Sequence, residues 1–361
     1  MPFDIQKLIR PNISRLVPYS SARDEFKGEA SVYLDANENS LGSPTLKWYN
    51  RYPDPLQWKI KEKLSSIKHI APEQMFIGNG SDECIDLLYR SFCNPGMDNI
   101  IICPPTYGMY AVSANINDVA IRQAPLLDDF QLNLAHLEQL IDDHTKIIWI
   151  CSPNNPTGNS IHRHDMEMVL NNFNGIVVVD EAYINFARQQ SMLGELKEYP
   201  NLVVMQTLSK AWGLAGLRLG MMFASNEIIS IINKVKPPYN IGIHTQDIVL
   251  NALNNTAQVN DMIMLLVDMR EALEEVFYQM PMVEKVYPSD ANFLLVKMQD
   301  AHNIYEYLLE EGIVVRDRSN VKLIENCLRI TIGTELENTK LVDALGAYIA
   351  NIYLPKQSTN A

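Results

Sequence analysis

Lys210 stands in the string TLSKAWGLAGLRLG (Thr207 to Gly220), among small and apolar residues. Lysines are seldom buried without a partner. An amine beside a low-dielectric cavity holds its proton less tightly and becomes a nucleophile that can form a Schiff base with an aldehyde. The same string adds Thr207, Ser209 and Arg218, which suit a bound anion. Asp180 ends GIVVVD, where it either caps the following turn or serves as a buried anion held against a cation. Tyr183 follows and can face the same space. SPNNPTGN (Ser152 to Asn159) is rich in turn formers and carries Asn155. GNGSDE (Gly78 to Glu83) places two glycines before a helix start. That turn is either a simple cap or an anion site built from free N–H groups. No GK[ST] follows, so it is not a Walker A loop. Tyr107, in CPPTYGMY, either packs or offers a flat face to a planar ring.

One cofactor needs all of these. Pyridoxal 5′-phosphate requires a lysine for its aldehyde, an acid for its ring nitrogen, an aromatic neighbour and a phosphate cradle. Lys210, Asp180, Tyr107 and the Gly78–Glu83 turn match those needs, and Arg218, Ser209 and Thr207 complete the phosphate site.

The elements that must position these residues alternate. NIIICPPTY, TKIIWICSPNNPTG, GIVVVDEAY and NLVVMQTLSK are apolar, β-branched runs ending in polar loops, with helical segments between several of them. Runs without polar alternation suit strands covered on both faces, so the pattern predicts an α/β protein with a mostly parallel sheet. In such sheets ligands bind beyond the carboxyl ends of the strands, where the polar residues cluster. Residues 55–70 have helical periodicity, Val32 to Pro44 read as a short strand entering a loop, and a helix start is expected near Ser81 or Asp82. One long helix is expected over about 259–280. The organisation expected is an N-terminal arm over 1–30, a large domain over 51–255, and a smaller α+β domain from 31–50 and 256–361, with a disordered tail PKQSTNA.

Composition excludes several classes. The formal net charge is −13, and no basic cluster stands out, which argues against nucleic-acid and anionic-membrane partners. No apolar run reaches a membrane span, and the first residues lack the apolar core of a signal peptide. The five cysteines are scattered, without metal spacing. A cytoplasmic, reduced protein with no metal is expected.

The strings LDANENSLGSP, RYPDP, GNGSDE, CPPTYGMY, CSPNNPTGN, VVVDEAY, TLSKAWGLAGLRLG, NFLLV, VVRDR and LRITIGT run in order over most of the chain. In them the chain resembles the fold-type I pyridoxal-phosphate-dependent aminotransferases. RYPDP, CPPTYGMY and VPYSSAR point to their histidinol-phosphate branch. The resemblance implies a large domain with a mostly parallel sheet of the seven-stranded type and a smaller α+β domain. It implies that Lys210 forms the Schiff base and moves protons, that Asp180 pairs with the ring nitrogen, and that Asn155 and Tyr183 bind the ring's 3-oxygen. Tyr107 would stack on the ring. Ser81 and Asp82, with Thr207, Ser209 and Arg218, would hold the phosphate. Tyr52 would reach that phosphate from a neighbouring subunit, making the protein a homodimer. Arg329 would grip a substrate anion, with Arg316, Tyr19 and Asn37 as further substrate-side residues. The implied reaction is ping-pong transamination between histidinol phosphate and 2-oxoglutarate, giving imidazole-acetol phosphate and glutamate, in histidine biosynthesis. Two alternatives keep the fold: a threonine-phosphate decarboxylase and an aromatic or broad-specificity aminotransferase. A regulator with an idle aminotransferase domain would carry a DNA-binding module, for which the short N-terminal arm offers no basic recognition helix.

Overall fold

The uniformly apolar runs are strands buried on both faces. β1 (Met75–Asn79), β2 (Asn99–Ile102), β3 (Ala120–Gln123), β4 (Thr145–Cys151), β5 (Ile176–Asp180), β6 (Leu202–Thr207) and β7 (Leu219–Phe223) form one sheet, in the order β1-β7-β6-β5-β4-β2-β3. This is a computed structural model, and it describes residues 3–19, 30–353 and 355. On β4, Ile148 and Ile150 enter one core cluster while Ile147, Trp149 and Cys151 enter another on the opposite face. Val177 and Val179 of β5 are divided from Ile176 and Val178 in the same way. With an apolar layer on each face, polar alternation has no place, and each such side chain contributes roughly 1.5–3 kcal/mol on burial. β2 to β6 pair in parallel, and β7 runs antiparallel to both β1 and β6. The start of β7 therefore lies at the same edge as the ends of β5 and β6.

The second sheet holds β8 (Val283–Tyr287), β9 (Phe293–Met298), β10 (Arg316–Asp317) and β11 (Cys327–Thr331), in the antiparallel order β10-β11-β9-β8. Leu328 and Ile330 of β11 face a third core cluster, which includes Ile304 and Leu308 of the helix Ala301–Glu310 and Leu341 and Leu345 of the helix Glu335–Tyr348. Cys327, two residues before Arg329 on the same strand face, packs instead into a cluster of the large sheet. Between the two sheets in sequence lies the 23-residue helix Thr256–Tyr278, close to the expected span.

Two expectations change. Val32 to Pro44 forms no strand: Val32 and Leu34 are largely exposed, and this segment pairs with no strand of either sheet. The helix expected to start at Ser81 or Asp82 starts at Gly80. Its N-cap Asn79 makes no side-chain cap; instead the Asn79 N–H donates to the Glu83 carboxylate three residues into the helix. In the N-terminal segment, Ile5, Leu8, Ile9 and Ile13 are buried in the cluster that also holds the helix Gly80–Phe92. Arg23 and nearly all of the expected tail lie outside the described residues.

Candidate active site

A cavity of about 720 Å³ opens at the carboxyl edge of the large sheet, a size that suits a cofactor-sized ligand. Asp180 ends β5 and Thr207 ends β6. Between β6 and β7 the chain makes a short excursion over 208–218, tied by Leu208 N–H to Leu219 O and by Leu214 N–H to Leu208 O. Lys210 and Arg218 sit on this excursion, and both line the cavity with Ser209. The spacing seen in the sequence is thus set by one tight connection between two adjacent strands.

Arg218 takes the left-handed backbone conformation (φ 51°), and its carbonyl accepts the Gly80 N–H at 2.7 Å. Its guanidinium lies directly over Gly80, where a Cβ would meet Nη2 at 2.5 Å. Gly220 is as constrained, since a Cβ there would stand 2.4 Å from Ser81 N. Two glycines therefore bring the first turn of the helix Gly80–Phe92 against Arg218. The first N–H groups of a helix lack intrahelical acceptors, and its positive end favours an anion. Asp82 and Ser81 line the same corner. The Asp82 carboxylate lies 3.3 Å from Arg218 Nη2 and accepts the Tyr107 hydroxyl at 3.3 Å. Thr207 and Ser209 share a hydroxyl hydrogen bond of 3.0 Å.

Asp180 is 3% exposed. It accepts the Tyr110 hydroxyl at 2.6 Å and the Ala182 N–H at 3.1 Å. Burial pushes its carboxyl up, and the two hydrogen bonds oppose that shift. Tyr110 is fully buried, stacked on Trp149 with centroids 4.6 Å apart, so its hydroxyl has little choice of direction. The sequence reading missed Tyr110, although the string CPPTYGMY contains it. The available signal was spacing: Tyr107 and Tyr110 are three residues apart at a helix start and can face one way. In the structure their rings meet edge to face, 5.5 Å apart. Burial raises the Tyr107 hydroxyl to about 12, so it stays protonated at neutral pH.

Asn155 links Tyr183 to Arg329. Its Nδ2 lies 3.4 Å from the Tyr183 hydroxyl, and its Oδ1 accepts Arg329 Nη1 at 2.6 Å. Asn154 holds the loop, donating to Pro105 O and to the Thr157 hydroxyl. The bonds Pro104–Pro105, Ser152–Pro153 and Asn155–Pro156 are cis. Lys210 Nζ lies 5.6 Å over the Tyr183 ring. Its pKa is lowered, first by burial, then by the charge of Arg329, with Asp180 pulling the other way. Arg329 sits on the internal strand β11, not on an edge, and its buried Nε has no hydrogen-bond partner among the described residues. Arg316 and Arg318 also line the cavity.

Twelve of the fifteen residues singled out from the sequence thus border one space. Tyr52, Tyr19 and Asn37 do not. Tyr52 is half-exposed and stacks on Tyr239 at 4.4 Å; Tyr19 is 76% exposed, and Asn37 lies on an exposed loop. Among the described residues no group of three His, Cys, Asp or Glu side chains could hold a metal. No helix among them is long and apolar enough to cross a membrane.

The donor set fits pyridoxal phosphate. A cradle kept open by Gly80, a buried carboxylate with a fixed proton donor, an amine with a lowered pKa and a ring-sized wall at Tyr107 all face one cavity. Fold and site together define a class. The chain belongs to the class I and II aminotransferase family, whose profile matches residues 39–345. Within it, the chain is 51% identical to the histidinol-phosphate aminotransferase of Cytophaga hutchinsonii, over 96% of this chain and all of that one. Among solved structures, it resembles the histidinol-phosphate aminotransferase of Clostridium acetobutylicum (TM-score 0.77, 24% identity, covering 84% of this chain and 92% of that one). It also resembles that of Sinorhizobium meliloti in complex with pyridoxal-5′-phosphate (TM-score 0.76, 22% identity, covering 84% and 83%). At such identities these two structures speak to the fold, the α/β fold-type I architecture expected from the sequence.

Proposed function

We propose that this chain is a pyridoxal-phosphate-dependent aminotransferase that moves an amino group between histidinol phosphate and 2-oxoglutarate, yielding imidazole-acetol phosphate and glutamate in histidine biosynthesis. The observation that carries it is one cavity lined together by Lys210 and Asp180, by Arg218 beside a helix start, and by Arg329 and Arg316. Bound there, pyridoxal phosphate supplies an aldehyde that takes up amino groups and a ring that accepts an electron pair from the substrate carbon.

Lys210 would hold the cofactor through its aldehyde and, once free, would move a proton to and from the substrate carbon. Its lowered pKa leaves more of the amine neutral at neutral pH. Asp180 keeps a proton on the ring nitrogen, and Tyr110 fixes the direction of its carboxylate. Tyr183 and Asn155 bind the ring oxygen. Arg218, Thr207, Ser209, Ser81 and the backbone N–H of Asp82 hold the cofactor's phosphate. The Asp82 carboxylate, an anion itself, holds Arg218 and Tyr107 instead of the phosphate. Arg329 and Arg316 hold the phosphate of one substrate and a carboxylate of the other.

Tyr52, Tyr19 and Asn37 belong to this scheme only if another subunit completes the site. Leu46 and Trp48, a few residues before Tyr52 in the chain, are exposed apolar side chains that a second copy could cover. We assign the large unit to 51–255 and the small unit to 31–50 with 256–361, and place the enzyme in the cytoplasm with neither nucleic-acid nor membrane partners. A coupled assay for glutamate tests the reaction. Glutamate made from histidinol phosphate and 2-oxoglutarate, without carbon dioxide release, is expected. Carbon dioxide release from threonine phosphate with no need of 2-oxoglutarate would replace this reading by the decarboxylase.

A further inference from the structure

A third arginine, Arg318, lines the cavity with Arg316 and Arg329. Arg316 lies directly opposite Arg329 in the β10–β11 register, and the Arg318 N–H extends that ladder to Cys327 O at 2.9 Å. Alternation along the strand puts Arg316 and Arg318 on the face of Arg329 and turns Asp317 to the other. There the Asp317 carboxylate meets His302 Nδ1 at 2.8 Å and accepts the Ser319 N–H at 2.7 Å. The carboxylate between the two arginines is therefore engaged elsewhere. Arg318 Nη1 donates to Asp317 O at 3.4 Å. Among the described residues none of the three arginines forms an ion pair with a carboxylate.

Like charges held together in a partly desolvated wall are unfavourable until an anion joins them. The strain shows in both half-buried members. Burial, then Arg316, lowers the proton affinity of Arg318, and Arg318 and Arg316 both add to the effect of burial on Arg329. The cofactor's phosphate does not need these groups, since Arg218 and the helix start serve it. A phosphate monoester carries about −1.5 to −2 charges at pH 7, whereas a carboxylate carries one. A third cation therefore gains nearly twice as much from the phosphate.

We propose that Arg318 sets the preference of this site for donors bearing a phosphate dianion over amino acids bearing a single carboxylate; the inference rests on the substrate reading above. The test compares Arg318→Gln and Arg318→Lys with the wild-type enzyme, using histidinol phosphate and phenylalanine as amino donors and inorganic phosphate as a competitive inhibitor. In Arg318→Gln the KM for histidinol phosphate should rise about tenfold, the order of one charge-assisted contact, with kcat little changed. The KM for phenylalanine should move far less, phosphate inhibition should weaken in parallel, and Arg318→Lys should recover most of the loss. The second ionisation of the phosphate falls near pH 6, so wild-type kcat/KM for histidinol phosphate should climb through about pH 6 and Arg318→Gln should flatten that climb. Equal losses for both donors, or an unchanged preference, would overturn the inference alone. A wild-type enzyme inert to histidinol phosphate would overturn the substrate reading and this inference with it.

Discussion

Lys210 is legible in the sequence because an amine among small, apolar residues has few structural uses, and Ser209 and Arg218 of the same string line the same cavity. Asp180 is legible because a carboxylate at the end of an apolar strand asks for a partner. Tyr110 is not, because a tyrosine that steers a carboxylate has the composition of any core aromatic, and only the 2.6 Å contact separates the two. Arg318 escaped for a related reason: one residue beyond a strand end, its side chain direction depends on the register with β11. Two predictions belong here. Lys210→Ala should lower turnover by at least about 10⁴-fold, the upper range for losing a proton-transfer group. Circular dichroism should show the fold intact, and an active variant would remove the lysine from its role. Tyr110→Phe takes a hydrogen bond from a buried carboxylate, a loss of about 1.5–3 kcal/mol for a charged acceptor. Titration of the apoenzyme with pyridoxal phosphate should show affinity weaker by roughly tenfold to a hundredfold. Unchanged affinity would say that Asp180 is oriented without it.

At the scale of elements, the parallel core is legible because strands covered on both faces leave continuous apolar runs such as IIWIC and IVVV. Antiparallel β7 is not distinguishable from them by composition, since LGMMF is as apolar and as buried as its neighbours. The strand expected at Val32 fails for want of a partner, which no local pattern reveals. Close approach is equally hidden: Gly216 and Gly220 look alike in the string, yet a Cβ at Gly216 meets nothing within 4 Å while one at Gly220 strikes the backbone at Gly80 and Ser81. Gly220→Ala should therefore cost about 1–3 kcal/mol, as overpacking commonly does. It should lower the melting temperature and loosen the cofactor by moving the helix start from Arg218. Gly216→Ala should do neither. Equal effects of the two substitutions in thermal denaturation would refute this account of the cradle.

For the whole molecule, both sheets line one cavity: the large sheet and its loops bring Asp180, Lys210 and Arg218, and the small sheet brings Arg316 on β10 and Arg329 on β11. Tyr52 lies outside that cavity in a single chain, so the part proposed for it requires a second copy. A dimer with twice the chain's 41.0 kDa mass is expected by light scattering. Mixing Lys210→Ala and Tyr52→Ala chains under conditions that allow subunit exchange should then restore activity that neither has alone, because one site of each hybrid keeps its own Lys210 and its partner's Tyr52. No gain on mixing, with exchange verified by mass, would return Tyr52 to its own chain.

The most direct measurement is the absorbance spectrum of the purified protein loaded with pyridoxal phosphate, followed through one half-reaction at a time. A visible band from the cofactor held by Lys210 is expected, with its loss on adding histidinol phosphate alone and its return on adding 2-oxoglutarate. A band that histidinol phosphate leaves unmoved would contradict the proposed substrate, and the absence of any band after incubation with the cofactor would contradict the role of Lys210 on which the whole site is built.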